Sequence, residues 1–242
     1  MNVVACWTAV LVSLWVSSPA LGSGSDPPSR MSGQAKTKAE EVVERYLEAI
    51  GGADAAKAVV EKRMTYWVHM FGREAYLMER IWTRPSSMRT GRRGETTYTL
   101  TEGEKSWRVS PEGRRELPGV VARSLSKFAD IDGPFVDEAG KGVALAYSGV
   151  VSYDMTDLHQ ITVTFEDGVQ WEYFFDAGTG LLRRTTQPSF TMLNGEFSRG
   201  SDVHFYYYDY RPIGRMLYPH LWIQSAEDHT HLFVVEEIRL QE

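Results

Sequence analysis

Two groups of residues have the types and spacing for chemistry. His229 and His231 lie two apart on an expected strand, which puts both imidazoles on one face, with His204 or His220 available as a third metal ligand. Asp154, Asp157 and His159 bring acid and base side chains into one short polar segment. Each group has a plainer reading. The histidines equally suit two partly exposed rings near a sheet edge, because no second shell or fixed third ligand is evident. The Asp154–His159 segment has no nucleophile or oxyanion-hole donor beside it, so a solvated turn is expected, with a hydrolase only as a distant alternative. Glu40, Glu41 and Glu44 read as the wet face of a helix. Tyr206, Tyr208 and Tyr210, at strand spacing, read as sheet packing rather than a stacking surface. The expectation is a protein that is not an enzyme and holds no metal or cofactor.

Arg84 poses a different question. It precedes Pro85 in "ERIWTRPSSMRT", at the end of a run that alternates like a strand. Proline cannot donate to a sheet ladder, so the pair belongs at a strand end, an edge or a bulge. A guanidinium there has five donors and a permanent charge, suited to satisfying several carbonyls at once.

The elements that must position these residues follow from pattern. Met1 to Gly22 carry no charged side chain, and Val3 to Val16 form an apolar run of signal-peptide length, too short to span a bilayer. Residues 1–22 are expected to be a cleaved export signal, 23–35 a Ser/Gly/Pro-rich linker, and 36–242 one folded domain. Cys6 is the only cysteine and lies in the signal, so the mature domain lacks disulfides and must fold by burial alone. The net charge of −6 argues against a nucleic-acid partner.

Thr37 and Glu40 form a capping-box signature, and Gly51-Gly52 a stop, for an amphipathic helix whose buried face holds Val43, Tyr46, Leu47 and Ile50. "ADAAKAVV" predicts a short second helix. From Lys62 onward the period switches to two. The clearest hairpin runs from His159 to Asp176 and turns at Asp167-Gly168, with Ile161, Val163, Phe165, Val169, Trp171, Tyr173 and Phe175 facing inward. Val121, Leu125 and Phe128 predict a further amphipathic helix over Gly119 to Ala129. Helix, strands, helix, strands describes an α+β domain, a strongly curved antiparallel sheet with helices over its concave face. Trp67, Trp82, Trp107, Phe165 and Trp171 are candidates to line that face. Alternation alone leaves open whether they enclose a hollow or fill a core.

These residues resemble the periplasmic lipoprotein carriers of the LolA type and related lipoprotein-localisation and sigma-factor regulatory domains. The similarity runs through "EVVERYLEAIGG", Arg84-Pro85, Met88-Arg89, "EGEKSW" and Pro111, then "FEDG", "FFDAGTGLLRR" and "YYYDYRPIG". It implies an unclosed β-barrel with a helical lid, LolA/LolB-like, and acyl chains held in the hollow between them. It also implies that Arg84 is a latch on the lid. The helices Gly119–Ala129 and Thr37–Ile50 are the expected cover, with Val121, Leu125 and Phe128 as lid residues. The implied protein is a monomeric periplasmic carrier of lipoprotein acyl chains, partnered by inner- and outer-membrane sorting proteins. The alternative is an envelope sensor or interaction domain of the same fold. Two features depart from the pattern. Arg80 shares a face with Trp82 and Arg84, and "VVSYDMTDLHQ" stands as an insertion where a glycine-rich turn is expected.

Overall fold

The computed structural model describes residues 36–242 apart from 194, 195 and 228; the expected signal and linker lie outside the described residues. The chain opens with α1 (Lys38–Ala49) and α2 (Ala53–Ala58). The expected capping box starts α1: the Thr37 hydroxyl accepts from the Glu40 amide, and Glu40 accepts from the Thr37 amide at 2.6 Å. Gly51 stops it. Its φ is +119°, and any Cβ there would collide with the Arg215 carbonyl. Only glycine satisfies both demands.

Six strands follow as a meander: β1 (Glu61–Met70), β2 (Tyr76–Thr83), β3 (Ser87–Arg92), β4 (Tyr98–Glu102), β5 (Lys105–Ser110) and β6 (Gly113–Glu116). Then comes α3 (Gly119–Ala129), with the bounds its spacing predicts. The second set is β7 (Ala144–Tyr153), β8 (Thr156–Thr164), β9 (Gln170–Asp176), β10 (Leu182–Leu193), β11 (Glu196–Ile213), β12 (Met216–Ser225) and β13 (Thr230–Gln241).

Among the described residues these strands form one antiparallel sheet in the order β6-β5-β4-β3-β2-β1-β13-β12-β11-β10-β9-β8-β7. β6 and β7 are consecutive in sequence yet occupy opposite edges, so the barrel is not closed. The segment between them, which contains α3, must therefore cross from one edge to the other. It crosses on the inner face, where its apolar side chains are buried. The "VVSYDMTDLHQ" segment forms a tight β7–β8 hairpin in which Tyr153 pairs with Thr156 across Asp154-Met155, both at positive φ. That is the backbone of a two-residue hairpin turn built without glycine.

Two apolar clusters occupy the inner face. One joins Val42 and Val43 of α1 to Ile161, Val163, Trp171, Tyr173 and Phe175 of the β8–β9 hairpin, with Phe135 from the crossing segment at its centre. The other joins Met64, Tyr66 and Val68 of β1 to Trp82, Met88, Phe233 and Ala129 of α3. Phe128 packs against both. A smaller cluster of Ile50, Ala55, Ala56, Val136 and Met216 seats the α1–α2 corner.

Candidate functional site

Arg84 lies just beyond β2, its amide bonded to the Val60 carbonyl at 3.0 Å. Pro85 follows, through a cis peptide bond, in the tight β2–β3 connection, where no ladder hydrogen bond is asked of it. The side chain makes four hydrogen bonds. Nε donates to the Val59 carbonyl at 2.7 Å and Nη2 to the Ala56 carbonyl at 2.9 Å. Nη1 and Nη2 also donate to the two carboxylate oxygens of Asp132, at 2.6 and 2.7 Å. Both carbonyls lie at the C-terminal end of α2, where Val59 is the capping residue and the Ala56 carbonyl also accepts the Val59 amide at 3.2 Å. The forked pair with Asp132 matches guanidinium to carboxylate geometry. Asp132 is only 8% exposed and Arg84 27%. The hydrogen bond to Asp132 raises the Arg84 pKa further above its ordinary value, so the charge is permanent.

One side chain thus ties three segments together: the end of β2, the end of α2, and the loop leaving α3. That loop is braced in turn, with Lys141 bonding Asp130 at 2.5 Å and the Gly133 carbonyl at 2.7 Å. The C-terminal end of α3 is fastened at two more points. Trp82 Nε1 donates to the Phe128 carbonyl at 2.8 Å, and Lys127 pairs with Asp167 of the β8–β9 turn at 2.6 Å. Phe128 packs against Trp171 with tilted rings, centroids 5.0 Å apart, and Trp171 meets Phe165 edge-on at 5.1 Å. The N-terminal end of α3 has no side-chain cap. The side-chain polar contacts of the helix therefore cluster at its C-terminal end and reach both halves of the sheet.

No sequence-family model and no curated protein matches the chain. Solved structures do match in shape. A LolA superfamily protein from Nitrosomonas europaea superposes with a TM-score of 0.57 at 11% identity, covering 86% of this chain and 95% of its own. A putative outer membrane lipoprotein-sorting protein domain from Vibrio parahaemolyticus gives 0.57 at 10%, covering 84% and 92%. A DUF1329 family protein from Desulfovibrio piger gives 0.55 at 9%, covering 85% and 94%. The fold is LolA-like.

Within this LolA-like frame the sequence candidates divide. Trp82, Phe165 and Trp171 sit on the inner face and converge on Phe128 of α3. Trp67 does not. It is 39% exposed, on the face of β1 opposite Met64, Tyr66 and Val68. Trp107 also points away from the inner face. It pairs with Leu100, on the face opposite Ser106 and Thr101, and is covered by Arg114, whose guanidinium lies 3.8 Å from the ring centroid. The inner face of β4–β5 carries the buried hydroxyl pair Thr101–Ser106 instead, 2.9 Å apart. In α3, Leu125 and Phe128 pack as expected, but the most buried positions are Ala122, Ser124 and Ala129. Val121 is half-buried and belongs to neither inner cluster.

Arg84 grips the end of α2 and the loop after α3, whereas α1, one of the two expected covers, is held elsewhere. Arg45 of α1 donates to the Gly178 carbonyl at 2.5 Å. Asp132 was not foreseen, because nothing in its local sequence marks a partner 48 residues from Arg84. The acid–base candidates are dispersed. Asp157 accepts from Ser152 at 2.5 Å, and His159 bonds the Tyr147 hydroxyl at 3.2 Å. Burial, then Lys38 and Arg45, lower the His159 pKa. It lines a cleft of about 200 Å³ with Lys38, Glu41, Val42, Phe175 and Asp176. His229 and His231 have ring centroids 4.8 Å apart, but His204 is bonded to Thr186 and His220 to the Tyr218 carbonyl. Among the described residues no group of three metal-ligating side chains converges. Asp176 organises its turn, accepting from the Gly178 and Thr179 amides at 2.9 and 2.7 Å.

Proposed function

We propose that this protein is an exported, non-enzymatic carrier that takes up acyl chains between α3 and the inner face of the sheet, and that Arg84 is the latch. The carrier reading extends to lipoprotein chains shuttled across the periplasm towards the outer membrane, released from a cleaved signal. The observation that carries it is the Arg84 fork, which binds two helix-end carbonyls and the lid-proximal Asp132 at once. A helix fixed by a few polar contacts over an aromatic wall can separate from it without dismantling the sheet. In the closed form Phe128 and Leu125 occupy the wall themselves, so a ligand must replace them.

The energetics permit this exchange. Each buried methylene contributes about 0.8 kcal/mol, so a chain of a dozen supplies on the order of 10 kcal/mol gross. Against that stand the Arg84–Asp132 pair, the Trp82 and Lys127 contacts, and the apolar area of the lid's inner face. A movable cover also keeps the empty wall from presenting a large apolar patch to water.

The test is to purify the protein, extract it with organic solvent and identify bound species by mass spectrometry, beside Arg84→Leu. Co-purified acyl species in wild type, retained in greater amount by the variant, support the reading. Absence of any acyl species in both, with no uptake of added fatty acid, rejects it.

A second reading is an interaction domain of the same fold that binds an envelope protein. It is favoured by the β7 edge, which pairs on one side only and exposes Val150, Tyr153 and Met155.

A further inference from the structure

The inner face carries two cations that the apolar wall does not require. Lys62 and Trp82 are cross-strand partners on β1 and β2, and Arg80 sits beside them on β2. The Lys62 ammonium lies 4.2 Å from the Trp82 ring centroid and 5.3 Å from that of Tyr218. The Arg80 guanidinium lies 5.4 Å from Trp82 and 5.6 Å from Tyr66. Among the described residues, neither forms an ion pair with a carboxylate. Asp132 is taken by Arg84 and Asp130 by Lys141. Arg80 Nε is buried with no hydrogen-bond partner, and so is the Oγ1 of Thr90, its cross-strand neighbour on β3.

Half-buried cations without a counter-charge weaken a fold, and an unmet buried donor adds to the cost. Lys62 registers it directly: burial first, then the positive charge of Arg80, lower its pKa to about 8. Aromatic faces offset part of this cost. They do not supply the acceptor that Arg80 Nε and Thr90 lack. These three groups lie on the wall against which α3 closes, next to Trp82, which holds the lid through the Phe128 carbonyl.

We propose that Lys62 and Arg80, assisted by the Thr90 hydroxyl, receive the anionic head group, carboxylate or phosphate, of an acyl ligand whose chain replaces Phe128 on the wall. The inference rests on the acyl-binding reading and narrows it to anionic amphiphiles. It also gives Asp132 a second role. While the lid is closed, Asp132 is the acid at the latch and adds favourable charge near Lys62. When the lid leaves, Asp132 leaves with it, and the ligand's anion takes its place as the negative charge facing Lys62 and Arg80.

The experiment measures binding of dodecanoate, dodecyl phosphate, dodecanol and inorganic phosphate to the delipidated protein, and to a Lys62→Met/Arg80→Met variant whose folding is checked by thermal melting. The charged amphiphiles are expected to bind at least about tenfold more tightly than the alcohol, as one charge-assisted contact gives. The variant is expected to lose that ratio while keeping its affinity for dodecanol. Inorganic phosphate is expected not to displace dodecanoate; displacement at comparable concentration would instead identify a site for a free anion and overturn the proposal. Equal binding of dodecanol and dodecanoate to wild type, or a ratio that persists in the variant, also overturns it while leaving acyl binding intact. Failure of every chain to bind removes both readings.

Discussion

Replacing Arg84 with leucine removes all four of its hydrogen bonds and leaves the Asp132 carboxylate without its forked partner. Breaking a fully buried ion pair from one side costs about 3–5 kcal/mol, because the remaining charge is stranded. Arg84 is 27% exposed, so water reaches the site and the loss is scaled down to about 2–3 kcal/mol. The released carbonyls of Ala56 and Val59 lie at a helix end where water can replace the donor in part. If the latch acts on lid closure, this loss falls on the closed state alone. The closed-to-open ratio then drops by roughly 30- to 150-fold, since about 1.4 kcal/mol is a factor of ten. By linkage, a ligand that binds only the open state gains apparent affinity by up to the same factor. Two assays read this out. Amide hydrogen exchange over residues 119–132 should accelerate without a matching change in β8–β9, and dodecanoate should dissociate more slowly from the variant. Uniform acceleration of exchange across the sheet, with unchanged ligand affinity, would refute the latch and leave Arg84 as an ordinary structural residue.

Lys62→Met is expected to raise stability at pH 7. The folded-state pKa of Lys62 is lowered from 10.5 to about 8, so the unfolded chain binds the extra proton between those values and stability rises with pH across that window. The penalty is fully present below about pH 8. The variant's advantage, no more than about 3 kcal/mol, should therefore shrink towards pH 10 in urea titrations; an advantage independent of pH contradicts the assignment. Trp82→Phe keeps a ring on the wall but loses the bond to the Phe128 carbonyl. It should cost about 1 kcal/mol and speed exchange at the end of α3, with no effect on α1. Gly51→Ala should cost at least about 2 kcal/mol in a denaturant midpoint, from strain at φ +119° and the clash with the Arg215 carbonyl.

Much of the architecture was legible because its signals are local. The capping box at Thr37 and Glu40 and the spacing of Val121, Leu125 and Phe128 located two helices. The alternation from His159 to Asp176 gave both arms of a hairpin and their inward faces. The orientation of isolated short strands was less accessible. In "KSWRVS" the tryptophan and valine share a face, yet that face turns outward, because α3 packs close enough to demand the small Ser106 and Thr101 beneath it. Trp67 was misplaced by its identity, since alternation with Met64, Tyr66 and Val68 already set it outside. The site was half visible. Arg84 announced itself by standing before a proline at a strand end. Asp132 and the Lys127–Asp167 pair arise from a crossover between opposite sheet edges, which no local pattern records. Whether the wall encloses a hollow depends on Phe128 and Phe135, whose positions follow from that same crossover.

The central claim is that α3 must part from the sheet for ligand to enter. Cysteines at positions 127 and 167, which replace the Lys127–Asp167 contact, joined by a short thiol cross-linker would fasten the lid to the β8–β9 turn. The account predicts that the cross-linked protein takes up no dodecanoate while the uncross-linked double variant binds it at least as tightly as wild type. Equal uptake by the two forms would contradict it.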